Sequence, residues 1–427
     1  MKFKRRQRWL KLDNAAKIFP AARTRNWTNV FRLSATLTED IEPSILQKSV
    51  QDIKKRFPSI CVRLDNGLFW YYIEETRESP SVQSEGPHAC MKMEFSEIKK
   101  CAVRILYFRN RISVEFFHSL TDGNGALIFL KTLVATYLEN RYGIDIPHTD
   151  GVLDISVRAR KEELEDSFLK YSGKVASGRK DTDAYMHSGN AIEDGFTPLI
   201  TGVTDIDEIK SICKKYGVSV TTYLAAVMAY AFQSLQEKDV PKQKNRKPIK
   251  IFLPVNLRNF YPSTTLRNFI LYVIPYIETK LGHYEFNEIV KSFHHQIGFG
   301  LTEKNMNAIM ATNVKDELNP LLRIVPLFIK NAVMKAVYNL TGERKSSISM
   351  SNLGNVKLPA IMNSYIERFD FILSPQAMQP CGCSVISYNG KIYISFVRKI
   401  KEPKLEKEFF TTLVKSGVHI KIESNRR

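Results

Sequence analysis

The chain has 427 residues, of which 63 are basic and 44 acidic, giving a formal charge of +19 with 44% hydrophobic and 25% charged content. These proportions suit a folded globular protein and exclude wholesale disorder, fibrous repeats and disulfide-stapled miniproteins. At about 150 residues per domain the length fits two to three domains, or two lobes sharing one site.

No stretch reaches the ~18 to 20 uninterrupted apolar residues of a membrane-spanning helix. The best candidate, 322–340, is interrupted by Arg323, Pro326, Lys330 and Lys335. Lys2, Lys4, Arg5, Arg6, Arg8 and Lys11 imitate the charged start of a signal peptide, but 9–19 supplies neither a continuous apolar core nor a small-residue cleavage site. The six cysteines, Cys61, Cys90, Cys101, Cys213, Cys381 and Cys383, lack the density and paired spacing of a disulfide framework or zinc site. The expected compartment is therefore a reducing cytoplasm. A positive chain attracts anions of every kind. With no finger spacing, no glycine-aromatic RNA signature and no recognition helix, nucleic acid is not the expected partner.

Strand-like and helix-like segments alternate, which predicts a mixed α/β chain. In the first part we read a strand over 29–37 and an amphipathic helix over 42–56. A hairpin follows over 59–64 and 67–74, then a second over 102–108 and 111–117. A helix over 125–142 carries Leu127, Phe129, Leu130, Leu133, Val134, Tyr137 and Leu138 largely on one stripe and stops at Gly143. The polar stretch around 151–197 has little periodicity and predicts a crossover linker or lid. Beyond it come a strand over 199–203, helices over 205–216 and 222–235, with Ser219 or Thr221 as cap, and strands over 249–253 and 269–277. Helices over 285–296 and 322–339 follow. Strands over 347–353, 366–373, 382–388 and 391–397 come next, the last two joined by an Asn389-Gly390 turn, and a helix over 404–415 closes the series. The expected domains are an N-terminal lobe over 1–160, a linker or lid over 161–197 and a C-terminal lobe over 198–427.

The segment Phe116-Phe117-His118-Ser119-Leu120-Thr121-Asp122-Gly123-Asn124-Gly125 stands where an aromatic strand gives way to a long helix. His118-x-x-x-Asp122-Gly123 resembles the H-x-x-x-D-G motif of the chloramphenicol acetyltransferase-like superfamily, which includes peptide condensation domains, plant BAHD acyltransferases and microbial alcohol acetyltransferases. The bacterial alcohol acetyltransferase-like branch looks nearest, from Trp9-Leu10-Lys11-Leu12-Asp13-Asn14-Ala15 and the order of elements. Pro254-Val255-Asn256-Leu257-Arg258 with Arg267-Asn268-Phe269 resembles the P-V-x-x-R and G-N-x segments of the second lobe, and Ser351-Asn352-Leu353-Gly354 resembles the late S-N-x-G strand end. There are departures. Position 117 is Phe where condensation domains carry a second histidine, Arg267 replaces a glycine, and the BAHD D-F-G-W-G motif has no match.

The resemblance implies two chloramphenicol acetyltransferase-like lobes forming a pseudo-dimer with a tunnel between them, where donor and acceptor meet at the histidine. It implies a CoA-dependent acyltransferase, in particular an O-acetyltransferase, taking a short acyl group from acyl-CoA to an alcohol or, second, an amine. Acyl-CoA is then a co-substrate and no cofactor is bound. Imidazole suits the task because its pKa of ~6.5 leaves it neutral near pH 7, so His118 is the expected general base. Asp122 belongs to the catalytic motif but, by family analogy, points away from the reacting atoms and pairs with Arg258 to hold the loop. Gly123 is expected to allow a backbone geometry that a side chain would obstruct. Ser351 and Asn352 are candidates for oxyanion or substrate contacts.

No metal is expected: His294 and His295, adjacent on a helix, point apart, and Cys381-Gly382-Cys383 lacks a second pair. Gly123-Asn124-Gly125 lacks the longer glycine patterns of phosphate loops. Two rival readings accompany the first. One is a catalytically silent member of the fold that binds a ligand or partner between the lobes. The other is an acyltransferase whose donor is an acyl carrier protein.

Overall fold

The computed structural model describes residues 9–22, 28–173, 175, 182–192, 196–318, 324–376 and 378–425. The basic residues at positions 2–8 and parts of the expected linker, 174, 176–181 and 193–195, lie outside them.

The first lobe is built on a five-stranded sheet in the order Ile366–Leu373, Val30–Leu37, Arg111–Phe117, Val103–Phe108, Val82–Ser84. All pairs are antiparallel except the last. Two helices cover it. Pro43–Ile53 buries Leu46, Ser49, Val50 and Ile53, the i, i+3, i+4, i+7 spacing of one helical face. Gly123–Tyr142 differs from the expected single stripe, because every residue from Phe129 to Leu138 is buried. It runs through the lobe with the sheet on one side and Pro43–Ile53 on another, so its polar residues must be satisfied internally. Lys131 does so by donating to the carbonyls of Asp150 and Lys357. Gly143, at φ 65°, ends this helix in the left-handed conformation that glycine adopts at little cost. A separate three-stranded sheet joins Trp9–Lys11, Tyr71–Glu75 and Val62–Asn66.

The second lobe holds an eight-stranded sheet. Its path runs Ile270–Val273, Ile249–Asn256, Ile348–Asn355, Cys381–Tyr388, Lys391–Arg398, Leu199–Asp205, Lys421–Ser424, and Tyr276–Ile277 pairs beside Ile249–Asn256. Helix Val220–Asp239 is its central helix, capped by Ser219, whose hydroxyl accepts the Thr222 amide at 3.1 Å. Phe286–Gly300 and Lys404–Lys415 flank it.

Several elements depart from expectation for local reasons. The strand expected over 269–277 is two strands parted at Ile274-Pro275, since proline has no N–H to give to a ladder. The helix expected from 322 runs over Leu327–Thr341 and begins after Pro326, which is tolerated only near a helix start. Residues 319–323 lie outside the described set. Glu303–Leu318 is a helix that weak periodicity concealed, and the polar stretch holds a short helix, Ser167–Tyr171, capped by Asp166. Past it, backbone bonds from Ala184 to Arg344 and from Tyr185 to Pro248 fasten the chain to the second lobe.

Strand Ile366–Leu373, though late in sequence, is the edge strand of the first sheet, so the division expected at 198 is crossed by the chain. It also packs against Cys381–Tyr388, and Ser384 donates to the carbonyl of Phe371 at 2.6 Å. The first core accordingly includes Ile386, Tyr388 and Val397 of the second sheet. All six cysteines are free thiols, and only Cys101 is not fully buried. Among the described residues no single helix is long and apolar enough to cross a membrane.

Candidate active site

The site begins where strand Arg111–Phe117 ends. Phe116 and Phe117 are completely buried and anchor the strand, and the His118 amide donates to the Asn29 carbonyl at 2.8 Å, carrying the pairing with strand Val30–Leu37 one residue further. The chain then turns, with the Leu120 amide donating to Phe117 at 3.0 Å. The Thr121 hydroxyl donates across the lobe boundary to the Leu266 carbonyl at 2.6 Å.

His118 is half-buried on the wall of a cavity of about 1910 Å³. Its ring stacks on Phe19 at 4.3 Å between centroids and leans on Phe31 at 5.0 Å. Nδ1 is enclosed and makes no hydrogen bond of ordinary geometry, which leaves Nε2 as the nitrogen able to meet a substrate. Burial pushes the imidazole below its ordinary pKa; its own carbonyl, Asp122 and the Asn268 side chain pull in the opposite direction. Desolvation dominates, so the ring is neutral near pH 7.

Asp122 is fully buried and its carboxylate is completely occupied. Oδ1 accepts the amides of Asn124 and Gly125, both at 3.1 Å, as the N-cap of Gly123–Tyr142. Oδ2 accepts the Phe269 amide and Nη1 of Arg258, both at 2.8 Å. Arg258 in turn donates to the carbonyls of Thr265 and Arg267 and to Oδ1 of Asn256. Asp122 thus faces away from the cavity and cannot reach a substrate. Its bonds and those of Arg258 tie the motif loop of one lobe to the 256–269 loop of the other.

The glycines separate on inspection. At Gly123 the obstacle to a side chain is Leu353, whose Cδ2 lies 2.5 Å from where a Cβ would stand; φ there is not positive. This corrects the expected reason, which was backbone freedom. Gly125 is the more constrained position, because its Cβ would overlap the Leu266 backbone carbonyl and the Thr121 hydroxyl. Backbone cannot rotate out of the way as a leucine can. Gly125→Ala is therefore expected to cost about 1–3 kcal/mol of stability, and Gly123→Ala less than ~1 kcal/mol, in parallel urea melts.

Ser351 and Asn352 line the same cavity. Strand Ile348–Asn355 pairs with Ile249–Asn256 only at Ile348 and Ser349, after which the two parallel strands part. The gap between them is part of the cavity, lined by Pro254 and Asn256 on one side and Ser351 and Asn352 on the other. The Asn352 amide is fixed: Nδ2 donates to Thr221 at 3.0 Å and Oδ1 accepts the Gly354 amide at 2.8 Å. One N–H of Nδ2 is left over.

Sequence reasoning missed the part played by Arg267. It lies 3.6 Å from the buried Asp13 carboxylate and donates to the Lys11 carbonyl at 2.5 Å and the Leu164 carbonyl at 3.3 Å. The arginine that departs from the family's glycine therefore fastens the N-terminal segment over the site. Burial pushes Asp13 above the ordinary carboxylate range, against the pull of Arg267. The adjacent Asn268 donates both its backbone and side-chain N–H to the same Asp13 oxygen at 3.3 Å. The signal available beforehand was that Asp13 and Asn268 both fell in segments resembling the family.

No family model matches the sequence, and no curated protein matches it. Solved structures do match the fold. Polyketide synthase associated protein 5 from Mycobacterium tuberculosis superimposes with a TM-score of 0.62 at 14% identity, over 95% of this chain and 96% of that one. TRI101 of F. sporotrichioides, complexed with coenzyme A and T-2, gives 0.60 at 10% identity, over 97% of this chain and 99% of that one. The wax ester synthase/diacylglycerol acyltransferase from Marinobacter aquaeolei gives 0.55 at 13% identity, over 96% and 100%. These likenesses show the fold: a two-lobed mixed α/β arrangement shared with those structures over nearly the whole chain.

Proposed function

We propose that the protein is an acyltransferase that moves a short acyl group, such as acetyl, from coenzyme A to an alcohol, with His118 as general base. The observation that carries this reading is a partly buried imidazole, its pKa lowered by burial, on the wall of an inter-lobe cavity and held by a loop bolted to both lobes. The cavity exceeds the ~300–1,000 Å³ of an ordinary small-molecule site, giving room for two substrates at once.

In the reaction, the acceptor hydroxyl oxygen attacks the thioester carbonyl carbon while Nε2 of His118 takes its proton. The carbonyl becomes a tetrahedral oxyanion, for which the Ser351 hydroxyl and the remaining Asn352 N–H, in the same cavity, are the candidate donors. Collapse re-forms the carbonyl and breaks the carbon–sulfur bond, and the imidazolium returns its proton to the leaving thiolate. The products are an ester and the free thiol. No covalent acyl-enzyme is needed, and placing both substrates at one ring supplies much of the acceleration. The +19 charge favours the encounter with an anionic nucleotide thioester.

The test is thiol release from acetyl-CoA, followed by a colorimetric thiol reagent across a panel of alcohols and amines. Release that depends on an alcohol supports the reading. If no donor, including longer acyl-CoAs, is consumed with any acceptor, the protein is a binding member of the fold instead.

A further inference from the structure

The mouth of the cavity carries apolar surface that the chemistry at His118 does not use. Leu68 is 68% exposed, Phe328 71% and Trp9 55%, with Trp70, Ile329 and Val333 also exposed. They form one surface, because helix Leu327–Thr341 is bonded to the small sheet and its turn. The Leu327 amide donates to the Leu68 carbonyl at 2.8 Å, Lys330 to the Phe69 carbonyl at 2.9 Å, and Asn331 to the Tyr71 hydroxyl at 2.8 Å. Trp9 lies against Tyr72 on the same sheet. Trp70, Ile329, Lys330 and Val333 also line the cavity, so this surface is continuous with its opening.

The charges around it are mostly of one sign. Helix Leu327–Thr341 contains Lys330 and Lys335 and no carboxylate. Lys11 stands 5.0 Å over the Trp70 ring. Lys17 is close enough to Lys330 to help lower its pKa, after burial. Glu74, opposite Trp9 in the sheet, is neutralised by Arg63 at 2.5 Å. Aromatic and aliphatic side chains among lysines are what the boundary between headgroups and acyl chains accommodates, the apolar groups entering the chain region and the cations meeting anionic lipid. A second copy of this chain would bring lysines against lysines.

We infer that this face docks onto an anionic lipid bilayer, with the cavity mouth opened toward the membrane so that an amphipathic substrate can enter without crossing water. The inference is independent of the reaction at His118. Leu68 and Phe328 do not line the cavity, so they can be changed without touching the site.

The experiment is co-sedimentation of the full chain with vesicles of phosphatidylglycerol and phosphatidylcholine, with tryptophan emission recorded alongside. Wild type is expected to pellet with the mixed vesicles, shift its emission to the blue, and stay in the supernatant with phosphatidylcholine alone. The L68E/F328E double variant is expected to lose about 100-fold in vesicle partitioning. Its melting temperature and its turnover of a water-soluble acceptor should be unchanged. Absence of wild-type binding to anionic vesicles, or equal binding by the variant, overturns the proposal. So does a dimer in light scattering that the double variant dissolves, which would assign the face to self-association. Inactivity toward every soluble acceptor would count against the proposed reaction and leave the vesicle result standing.

Discussion

His118→Ala is expected to lower kcat/KM by about 10²–10⁴-fold, the usual contribution of a positioned acid–base group, with the melting temperature nearly unchanged. The fold should tolerate the change because the ring is only half-buried and Nδ1 surrenders no hydrogen bond. Its pH dependence is a second readout. Burial lowers the pKa of His118, so the neutral base persists to more acidic pH than an exposed histidine would, and kcat/KM should fall only below the ordinary value of ~6.5. The same shift has a stability consequence. A histidine whose folded pKa is depressed stabilises the fold fully above its unfolded pKa, and that contribution is lost as pH falls through the window between the two values. His118→Ala should flatten both curves in the same interval. Full retained activity would remove His118 from the reaction.

The second large effect belongs to Asp122 and Arg258. Removing either partner leaves the other's charge buried, since the Asp122 side chain is 0% exposed and that of Arg258 10%. Asp122→Ala and Arg258→Ala are each expected to cost about 3–5 kcal/mol in urea unfolding, the aspartate change adding the loss of a helix cap. Activity should fall with them because the loop that aims His118 loosens. Asp122→Asn, which keeps the shape and part of the cap, should fall between wild type and alanine in stability. An Arg258→Ala protein as stable and active as wild type would dismiss the tie between the lobes.

How much of this was legible beforehand varies with the residue. The hairpin at Asn389-Gly390, strand Ile366–Leu373 and helix Lys404–Lys415 follow from local pattern alone, as alternation and helical spacing there are uninterrupted. The motif loop was legible as a strand-to-helix junction because Asp122 is a good cap residue. The pairing of Asp122 with Arg258 came only through resemblance. The two residues are 136 positions apart, and nothing in spacing or propensity joins them. Gly125, Arg267 and Thr121 were missed since their roles consist of contacts with backbone far along the chain, at Leu266, Lys11 and Leu164.

By itself the sequence determined most of the segments that become strands, helices and hairpin turns, since propensity, capping and period are properties of neighbours in the chain. Only the tertiary structure decided that a late strand completes the early sheet, that two parallel strands separate after Ser349, and that the His118 ring lines the same cavity as their separated ends, its pKa lowered by burial. Those outcomes depend on which distant surfaces exclude water from one another. Desolvation is a property of the assembled volume around an atom, and no local window of residues contains it.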